Sequence, residues 1–120
     1  MKEVLIVDDS ASMRQLIETT LAQGGYDVTS AEDGVDALEK AGKHRYSLVI
    51  TDVNMPRMNG LSLVGKLREL NDYKYTPILV LTTETSKEKK KEAKSAGATG
   101  WLTKPFDPRK LLETVGKVVN

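Results

Sequence analysis

The chain has 120 residues, the usual size of one domain, and its charge is nearly balanced, with 18 Lys and Arg against 17 Asp and Glu. It has no cysteine and one histidine, which excludes a disulfide framework, a thiolate metal site and a multi-histidine metal site. No segment approaches the ~20 apolar residues that a membrane span needs, and the balanced charge gives no electrostatic case for nucleic-acid binding. We therefore expect a soluble cytoplasmic protein that neither enters a membrane nor binds nucleic acid.

Short apolar runs alternate with segments of helical period five times along the chain. This alternation is typical of βα units around a parallel sheet with helices on both faces, which makes a three-layer α/β fold. The predicted strands are Glu3 to Val7, "YDVTSA", Ser47 to Thr51, "ILVLT" and "ATGWLT".

Each predicted helix has a recognisable boundary. Ser10, Asp33, Asn59 and Asp107 are suitable N-caps, and glycines end the first helix and the fourth. The expected inner faces are Met13, Leu16, Ile17 and Leu21; Val35, Leu38 and Ala41; Leu63, Val64, Leu67 and Leu70; Ala93 and Ala96; and Leu111, Leu112, Val115, Val118 and Val119. No linker interrupts this pattern, so we expect residues 1–120 to form one domain with no output domain.

Charged and hydroxyl side chains follow four of the predicted strands. In an open α/β sheet, ligands bind beyond the carboxyl ends of the strands. Asp8 and Asp9 follow the first strand, Asp52 the third, Thr82 lies at the end of the fourth, and Lys104 follows the fifth. If the first and third strands are neighbours, three carboxylates converge on one pocket. Three close carboxylates need a cation, and oxygen ligands without His or Cys favour a hard ion such as Mg²⁺.

A carboxylate in such a pocket can also act as a nucleophile toward phosphorus and form an aspartyl phosphate. Phosphoryl transfer needs a metal ion and a cation that neutralises the phosphoryl oxygens. Mg²⁺ and Lys104 would fill these two roles, and the hydroxyl of Thr82 would donate a hydrogen bond to a phosphoryl oxygen.

Four motifs, "VDDS", "TDVNMPRMNG", "LTTE" and "KPF", stand in this order at the predicted strand ends. Together they resemble the receiver domain of two-component response regulators, specifically the single-domain CheY-like chemotaxis proteins. The resemblance covers essentially the whole chain. It implies a flavodoxin-like (βα)5 fold with strand order 2-1-3-4-5.

The resemblance also implies roles for individual residues. Asp52 would be the phospho-acceptor, taking the phosphoryl group from a phosphohistidine on a chemotaxis-type histidine kinase. Asp9 would bind Mg²⁺ directly and Asp8 largely through water, with Asp52 and the backbone carbonyl of Asn54 as the remaining protein ligands. Lys104 would bind the phosphoryl group.

Further positions match the family's signalling and decay residues. Thr82 is similar to the signalling hydroxyl, and the Lys104–Pro105 bond matches a peptide bond that is cis in the family. Asn54 and Glu84 match the positions that tune loss of the phosphoryl group. Both are polar, as in fast-decaying chemotaxis regulators, so we expect a short-lived phosphorylated form.

Trp101 stands where the family usually carries a Tyr or Phe that swings inward when the threonine moves toward the phosphate. An indole is larger than a phenol ring, and its N–H prefers a partner when buried. The lysine-rich fourth helix has a thin apolar face, so we expect it to shift readily. Lys90, Lys94 and Trp101 are implied to lie on the face that meets an output partner, and the local charge favours an acidic or amphipathic target.

The leading interpretation is a monomeric, Mg²⁺-dependent phosphorylation switch that signals to the flagellar motor switch protein. It would catalyse its own phosphorylation and dephosphorylation without turning over another substrate. A phosphate sink and a messenger for a non-flagellar target remain alternatives.

Two other classes fit the motifs less well. An aspartate-nucleophile phosphatase would carry an acidic motif such as "ITDVN" on its first strand rather than its third. A flavin-binding electron carrier would need a Ser/Thr/Gly-rich phosphate loop where "DDSASM" offers carboxylates.

Overall fold

The computed structural model describes residues 2–83 and 86–119. Within them, five strands form one sheet: β1 (Glu3–Val7), β2 (Asp27–Ala31), β3 (Leu48–Asp52), β4 (Ile78–Thr82) and β5 (Gly100–Thr103). Their order is β2-β1-β3-β4-β5, and every neighbouring pair is parallel. The strand order that the resemblance implied is therefore confirmed.

The connecting helices are α1 (Ala11–Gln23), α2 (Gly34–Lys43), α3 (Gly60–Glu69), α4 (Lys87–Ala96) and α5 (Pro108–Val119), with a 3₁₀ turn at Asn71–Tyr73. The predicted caps are present. The side chains of Ser10, Asp33 and Asn59 accept hydrogen bonds from backbone N–H groups in the first turns of α1, α2 and α3. Gly97 ends α4 in the left-handed conformation, with φ of 109°.

The sheet separates two apolar cores, because successive side chains of a strand point to opposite faces. On one face, Leu5 and Val49 pack with α2 and α3. On the other, Val4 and Ile50 pack with α1 and α5. These central strand residues have no exposed surface, which is typical of a parallel sheet covered on both sides. The three-layer arrangement is therefore confirmed.

Three residues predicted to face inward do not. Leu16 is 48% exposed, Val35 38% and Leu70 36%. Leu16 and Val35 each lie about a quarter turn from a buried neighbour, Ile17 in α1 and Gly34 in α2. Leu70 is extended and follows the last residue of α3, so it lies outside the helical stripe.

The observed boundaries of three strands differ from the predicted ones by one or two residues. Strand β3 begins and ends one residue later than predicted, at Leu48 and Asp52, because Asp52 pairs with Leu81 of β4. Strand β2 begins at Asp27 and β5 at Gly100. The shift at β3 matters for the site, since it makes Asp52 the last residue of a central strand.

The amino edge of the sheet is tied together by Arg68 at the end of α3. Its guanidinium donates hydrogen bonds to the carbonyl oxygens of Tyr73, Thr76 and Gly97, at 2.7, 2.6 and 3.0 Å. The opposite, carboxyl edge carries the acidic residues. Among the described helices, none combines the length and apolar character required to cross a bilayer.

Candidate metal centre

The pairing of β1 with β3 brings three carboxylates to one edge of the sheet. Asp8 and Asp9 directly follow β1, and Asp52 is the last residue of β3. One carboxylate oxygen from each of the three lies within 4.8 Å of the others. Asp8 and Asp52 are buried, whereas Asp9 is exposed. The cluster is therefore open to solvent on the side of Asp9.

Asp8 is held by contacts to three residues. Its Oδ1 accepts a hydrogen bond from the backbone N–H of Ser10 at 2.9 Å, and its Oδ2 lies 3.3 Å from Nζ of Lys104. Its backbone carbonyl accepts a hydrogen bond from Arg14 at 2.6 Å. Arg14 was not among the residues predicted from the sequence, although it lies one turn after the Ser10 cap and so on the same side of α1. These contacts fix the turn that carries the acidic pair.

Asp52 shares the same ammonium group. Its Oδ1 accepts a hydrogen bond from the backbone N–H of Val53 at 2.9 Å and lies 3.1 Å from Nζ of Lys104. The backbone N–H of Lys104 donates to the carbonyl of Thr82 at 2.9 Å, and the Lys104–Pro105 bond is cis. Lys104 therefore bridges Asp8 and Asp52 from the end of β5.

Burial raises the pKa of the Asp52 carboxyl above its usual value of 3.8. The hydrogen bond and charge of Lys104 lower this pKa and the charge of Asp8 raises it, but the effect of burial prevails. The folded protein therefore disfavours the ionised form of Asp52, and an additional cation would stabilise that form.

The donor set fits Mg²⁺. Three ionised carboxylates and one ammonium leave two negative charges, which one divalent ion balances. Mg²⁺ binds oxygen ligands, and carboxylate oxygens that lie within 4.8 Å of one another are near enough to share one ion after small side-chain movements. Asp8, Asp9 and Asp52 would hold the ion, with water and the backbone carbonyl that the resemblance implies for Asn54 as further ligands.

The start of α3 lies directly against Asp52. A Cβ atom on Gly60 would overlap the backbone carbonyl oxygen of Asp52, and the N–H of Gly60 donates to the carbonyl of Val53 at 2.7 Å. Gly60 therefore permits a close approach between a helix and the strand end that carries Asp52.

A second group of the predicted residues lies beside this cluster. Asn54, Thr82, Lys90 and Trp101 line a cavity of about 170 Å³ between α3, α4 and the sheet. Trp101 is 37% exposed, and Nζ of Lys90 lies 5.2 Å from its ring centroid, within the range of a cation–π contact. Trp101 therefore lies between the cavity and the surface.

One predicted residue is not brought into either group, and the structure does not describe another. Lys94 is exposed on α4 and is not among the residues that line the cavity. Glu84 lies outside the described residues.

Residues 4–116 match the sequence model of the response regulator receiver domain. The chain belongs to this family. Chemotaxis protein CheY1 of Helicobacter pylori is 45% identical over 119 residues, which are 98% of this chain and 96% of that protein. Chemotaxis protein CheY-3 of Vibrio cholerae is 37% identical, and the match covers 97% of this receiver and 90% of that protein.

Solved structures agree with this membership. Chemotaxis protein CheY4 of Vibrio cholerae has a TM-score of 0.96 and 55% identity, over 98% of each chain. The receiver domain of a sensor histidine kinase of Pseudomonas aeruginosa, solved with magnesium in its active-site cleft, has a TM-score of 0.91 and 28% identity, over 98% of this receiver and 97% of that chain.

Substitution of Gly60 by Ala should separate α3 from the strand end. The new methyl group meets backbone atoms of Asp52 that cannot rotate away, so we expect Gly60→Ala to destabilise the protein by about 2–3 kcal/mol in urea unfolding. Gly65→Ala is the matched control on the same helix, because nothing lies within 4 Å of its added Cβ. It should stabilise by up to about 1 kcal/mol. Equal effects of the two substitutions would contradict the close approach.

Removal of the Asp52 charge should stabilise the metal-free protein at neutral pH. The pKa of Asp52 is higher in the folded protein than in the unfolded chain, where it is about 3.8. The stability that Asp52 contributes is therefore fully present below about pH 3.8, and it is lost as the pH rises through the folded-state pKa. In EDTA at pH 7 we expect Asp52→Asn to unfold at higher urea than wild type, by roughly 1 kcal/mol. The advantage should vanish below about pH 4.

Glu113→Gln, which removes an exposed carboxylate from α5, controls for the change in net charge. An Asp52→Asn protein that is less stable than wild type at pH 7 in EDTA would show that Lys104 outweighs burial.

Proposed function

We propose that this receiver is a chemotaxis response regulator that is phosphorylated on Asp52 by a histidine kinase in a Mg²⁺-dependent reaction. The observation that carries the proposal is the position of Lys104, whose ammonium bridges Asp8 and Asp52 beside a cluster of three carboxylates. Such a cluster with one lysine provides what phosphoryl transfer to an aspartate requires: a nucleophile, ligands for a metal ion and a cation for the phosphoryl oxygens.

In the proposed reaction, a carboxylate oxygen of Asp52 forms a bond to phosphorus while the bond from phosphorus to the kinase histidine breaks, and the imidazole leaves with the electron pair. Bound Mg²⁺ would neutralise negative charge on the phosphoryl oxygens and in the acidic cluster. The backbone N–H of Val53 keeps the Asp52 carboxylate oriented throughout. The ammonium of Lys104 moves from the carboxylates to a phosphoryl oxygen, a short distance because it already lies 3.1 Å from Asp52.

The open side of the cluster supports access by a protein donor. Asp9 is exposed, so neither the metal ion nor the kinase histidine needs the fold to open before it reaches the site. The same access would allow water to attack the aspartyl phosphate. Asn54 and Glu84 are proposed to tune this loss, so the phosphorylated form should decay quickly.

We propose that the signal leaves the site through Thr82. This residue lines the same cavity as Trp101 and Lys90, so movement of its hydroxyl toward a phosphoryl group changes the space available to the indole. Helix α4 is the element that can respond, because Ala93 is the one buried residue over its described length, Lys87–Ala96. Lys90, Lys94 and Trp101 would then form the partner face.

The output is proposed to be the flagellar motor switch protein, met by a cytoplasmic monomer. Support comes from the relatives, which are named chemotaxis proteins and match over 90% or more of their length. A phosphate sink or a messenger to a non-flagellar target uses the same site chemistry. It differs only in what the partner face binds.

Phosphorylation tests the site directly. With acetyl phosphate and Mg²⁺, wild type should gain one phosphoryl group by intact-mass spectrometry, and Asp52→Asn should gain none. Asp72→Asn, which removes an exposed carboxylate at the amino edge of the sheet, is the control and should be labelled like wild type.

Metal binding is tested by stability. Mg²⁺ at 100 times the dissociation constant of wild type should raise the free energy of unfolding of wild type by about 2.7 kcal/mol. The same Mg²⁺ concentration should stabilise Asp9→Asn by much less.

Mg²⁺-dependent label that persists on Asp52→Asn would contradict the assignment of the acceptor. A half-life of hours for the phosphorylated wild type would contradict the proposed fast decay.

The partner face is tested by charge reversal. Lys90→Glu and Lys94→Glu should each weaken binding of the beryllofluoride-activated protein to the flagellar motor switch protein by roughly two- to tenfold, since the basic face would meet acidic or amphipathic surface. Lys66→Glu is the matched control, an exposed lysine on α3. Isothermal titration calorimetry measures the affinities. Affinities unchanged in both α4 variants would place the partner elsewhere.

A further inference from the structure

An ion pair ties the segment 53–59, which we call the β3–α3 loop, to the start of α2. Nη1 of Arg57 lies 2.9 Å from Oδ2 of Asp33. The Asp33 side chain is 6% exposed, whereas that of Arg57 is 57% exposed. The other oxygen of Asp33 accepts the capping hydrogen bond from the N–H of Asp36 at 2.8 Å. One buried carboxylate therefore serves both a helix cap and the loop.

Arg57 adopts a backbone conformation that its residue type does not favour. Within residues 2–83 and 86–119 it is the one non-glycine residue with positive φ, at 69°. The left-handed region is unfavourable for a residue that has a Cβ atom, so surrounding contacts must hold Arg57 in this conformation. The ion pair with Asp33 is such a contact.

The next residue makes a second contact with α2. Met58 packs over Gly34, the first residue of this helix, so closely that a Cβ on Gly34 would lie 2.9 Å from its sulfur. Met58 also packs against the core cluster on the α2 and α3 side of the sheet. Two consecutive loop residues are thus held by the same end of α2, one by charge and one by packing.

The loop also carries the proposed metal ligand. Asn54 lies two residues after Asp52, and Arg57 follows three residues later. We infer that Arg57 is a positioning residue: paired with Asp33, it holds the β3–α3 loop in the conformation that presents the Asn54 carbonyl to Mg²⁺. This inference rests on the proposed function, because that carbonyl is a ligand only if the acidic cluster binds the ion.

The ion pair should affect the metal more than the fold. Arg57 is largely exposed, and exposed pairs add little to global stability. Asp33 retains its cap bond to Asp36 without Arg57, so α2 keeps its start. What the pair changes is the fraction of time the loop spends in its observed conformation. If the loop spends a smaller fraction of time in this conformation, the apparent dissociation constant of a ligand that needs it rises by the same factor.

The test compares Arg57→Met, Arg57→Lys and Asp33→Asn. An asparagine at position 33 keeps a capping oxygen but removes the negative charge. Mg²⁺ titration, followed by the fluorescence of the single tryptophan, Trp101, and by calorimetry, gives the dissociation constant. We expect Arg57→Met and Asp33→Asn each to raise this constant by roughly two- to fivefold, and Arg57→Lys to raise it less.

A second readout separates positioning from a general loss of structure. In phosphorylation by acetyl phosphate, the Mg²⁺ concentration for half-maximal rate should rise by the same factor, while the rate at saturating Mg²⁺ stays that of wild type. The double variant Arg57→Met with Asp33→Asn should bind Mg²⁺ no more weakly than either single variant, because both remove one interaction. Lys43→Met breaks the exposed pair with Glu39 on the same helix and should leave the constant unchanged.

The outcomes distinguish this inference from the proposed function. If wild type binds no Mg²⁺, or Asp9→Asn binds it equally well, the metal site itself is wrong and the inference falls with it. If wild type binds Mg²⁺ and Arg57→Met binds it as tightly, the inference alone is overturned. Additive effects in the double variant, or a loss of stability with an unchanged dissociation constant, would also overturn it.

Discussion

Repulsion among three carboxylates at one edge of the sheet is the constraint on which the rest of the site depends. The pairing of β1 with β3 places Asp8 and Asp9 beside Asp52, and two of the three are buried. Like charges in a partly desolvated position destabilise the folded state unless cations or hydrogen-bond donors compensate. The fold supplies Lys104 and two backbone N–H groups, which satisfy part of this need. A divalent ion would balance the remaining negative charge.

The scaffold around the cluster is built from close backbone approaches rather than from long side chains. Gly60 lets α3 begin against the carbonyl of Asp52, and Gly34 lets Met58 of the β3–α3 loop pack on α2. Such contacts leave little room for adjustment, because backbone atoms cannot rotate away as side chains do. A site whose chemistry needs oxygen ligands within a few tenths of an ångström benefits from this rigidity.

The region beyond Thr82 is built differently. Helix α4 carries five lysines between Lys87 and Lys94 and has Ala93 as the one buried residue in its described length. Lys90 covers the ring of Trp101 instead of packing into the core. Few apolar contacts oppose a shift of this helix, so a small change at the neighbouring Thr82 would be enough to move it. A rigid acidic edge beside a weakly packed helix suits the proposed phosphorylation switch.

The sequence by itself determined the elements and the chemical types at the strand ends. Apolar periodicity located all five strands to within one or two residues, and cap residues located the starts of α1, α2, α3 and α5 and the ends of α1 and α4, since these signals are local. Strand-end positions named Asp8, Asp9, Asp52 and Lys104, because parallel strands all end at one edge. The strand order that places them together came from the family resemblance, since neighbouring strands need not be consecutive in the chain.

Only the tertiary structure decided which contacts those residues make. The exposure of Leu16 and Val35 depends on how far each helix is rotated over the sheet, which a stripe of apolar residues defines only to about a quarter turn. The bridge from Lys104 to Asp8 spans 96 positions, and the pair of Arg57 with Asp33 spans 24. Neither pairing leaves a local pattern in the sequence, because each exists only once separate elements have packed against one another.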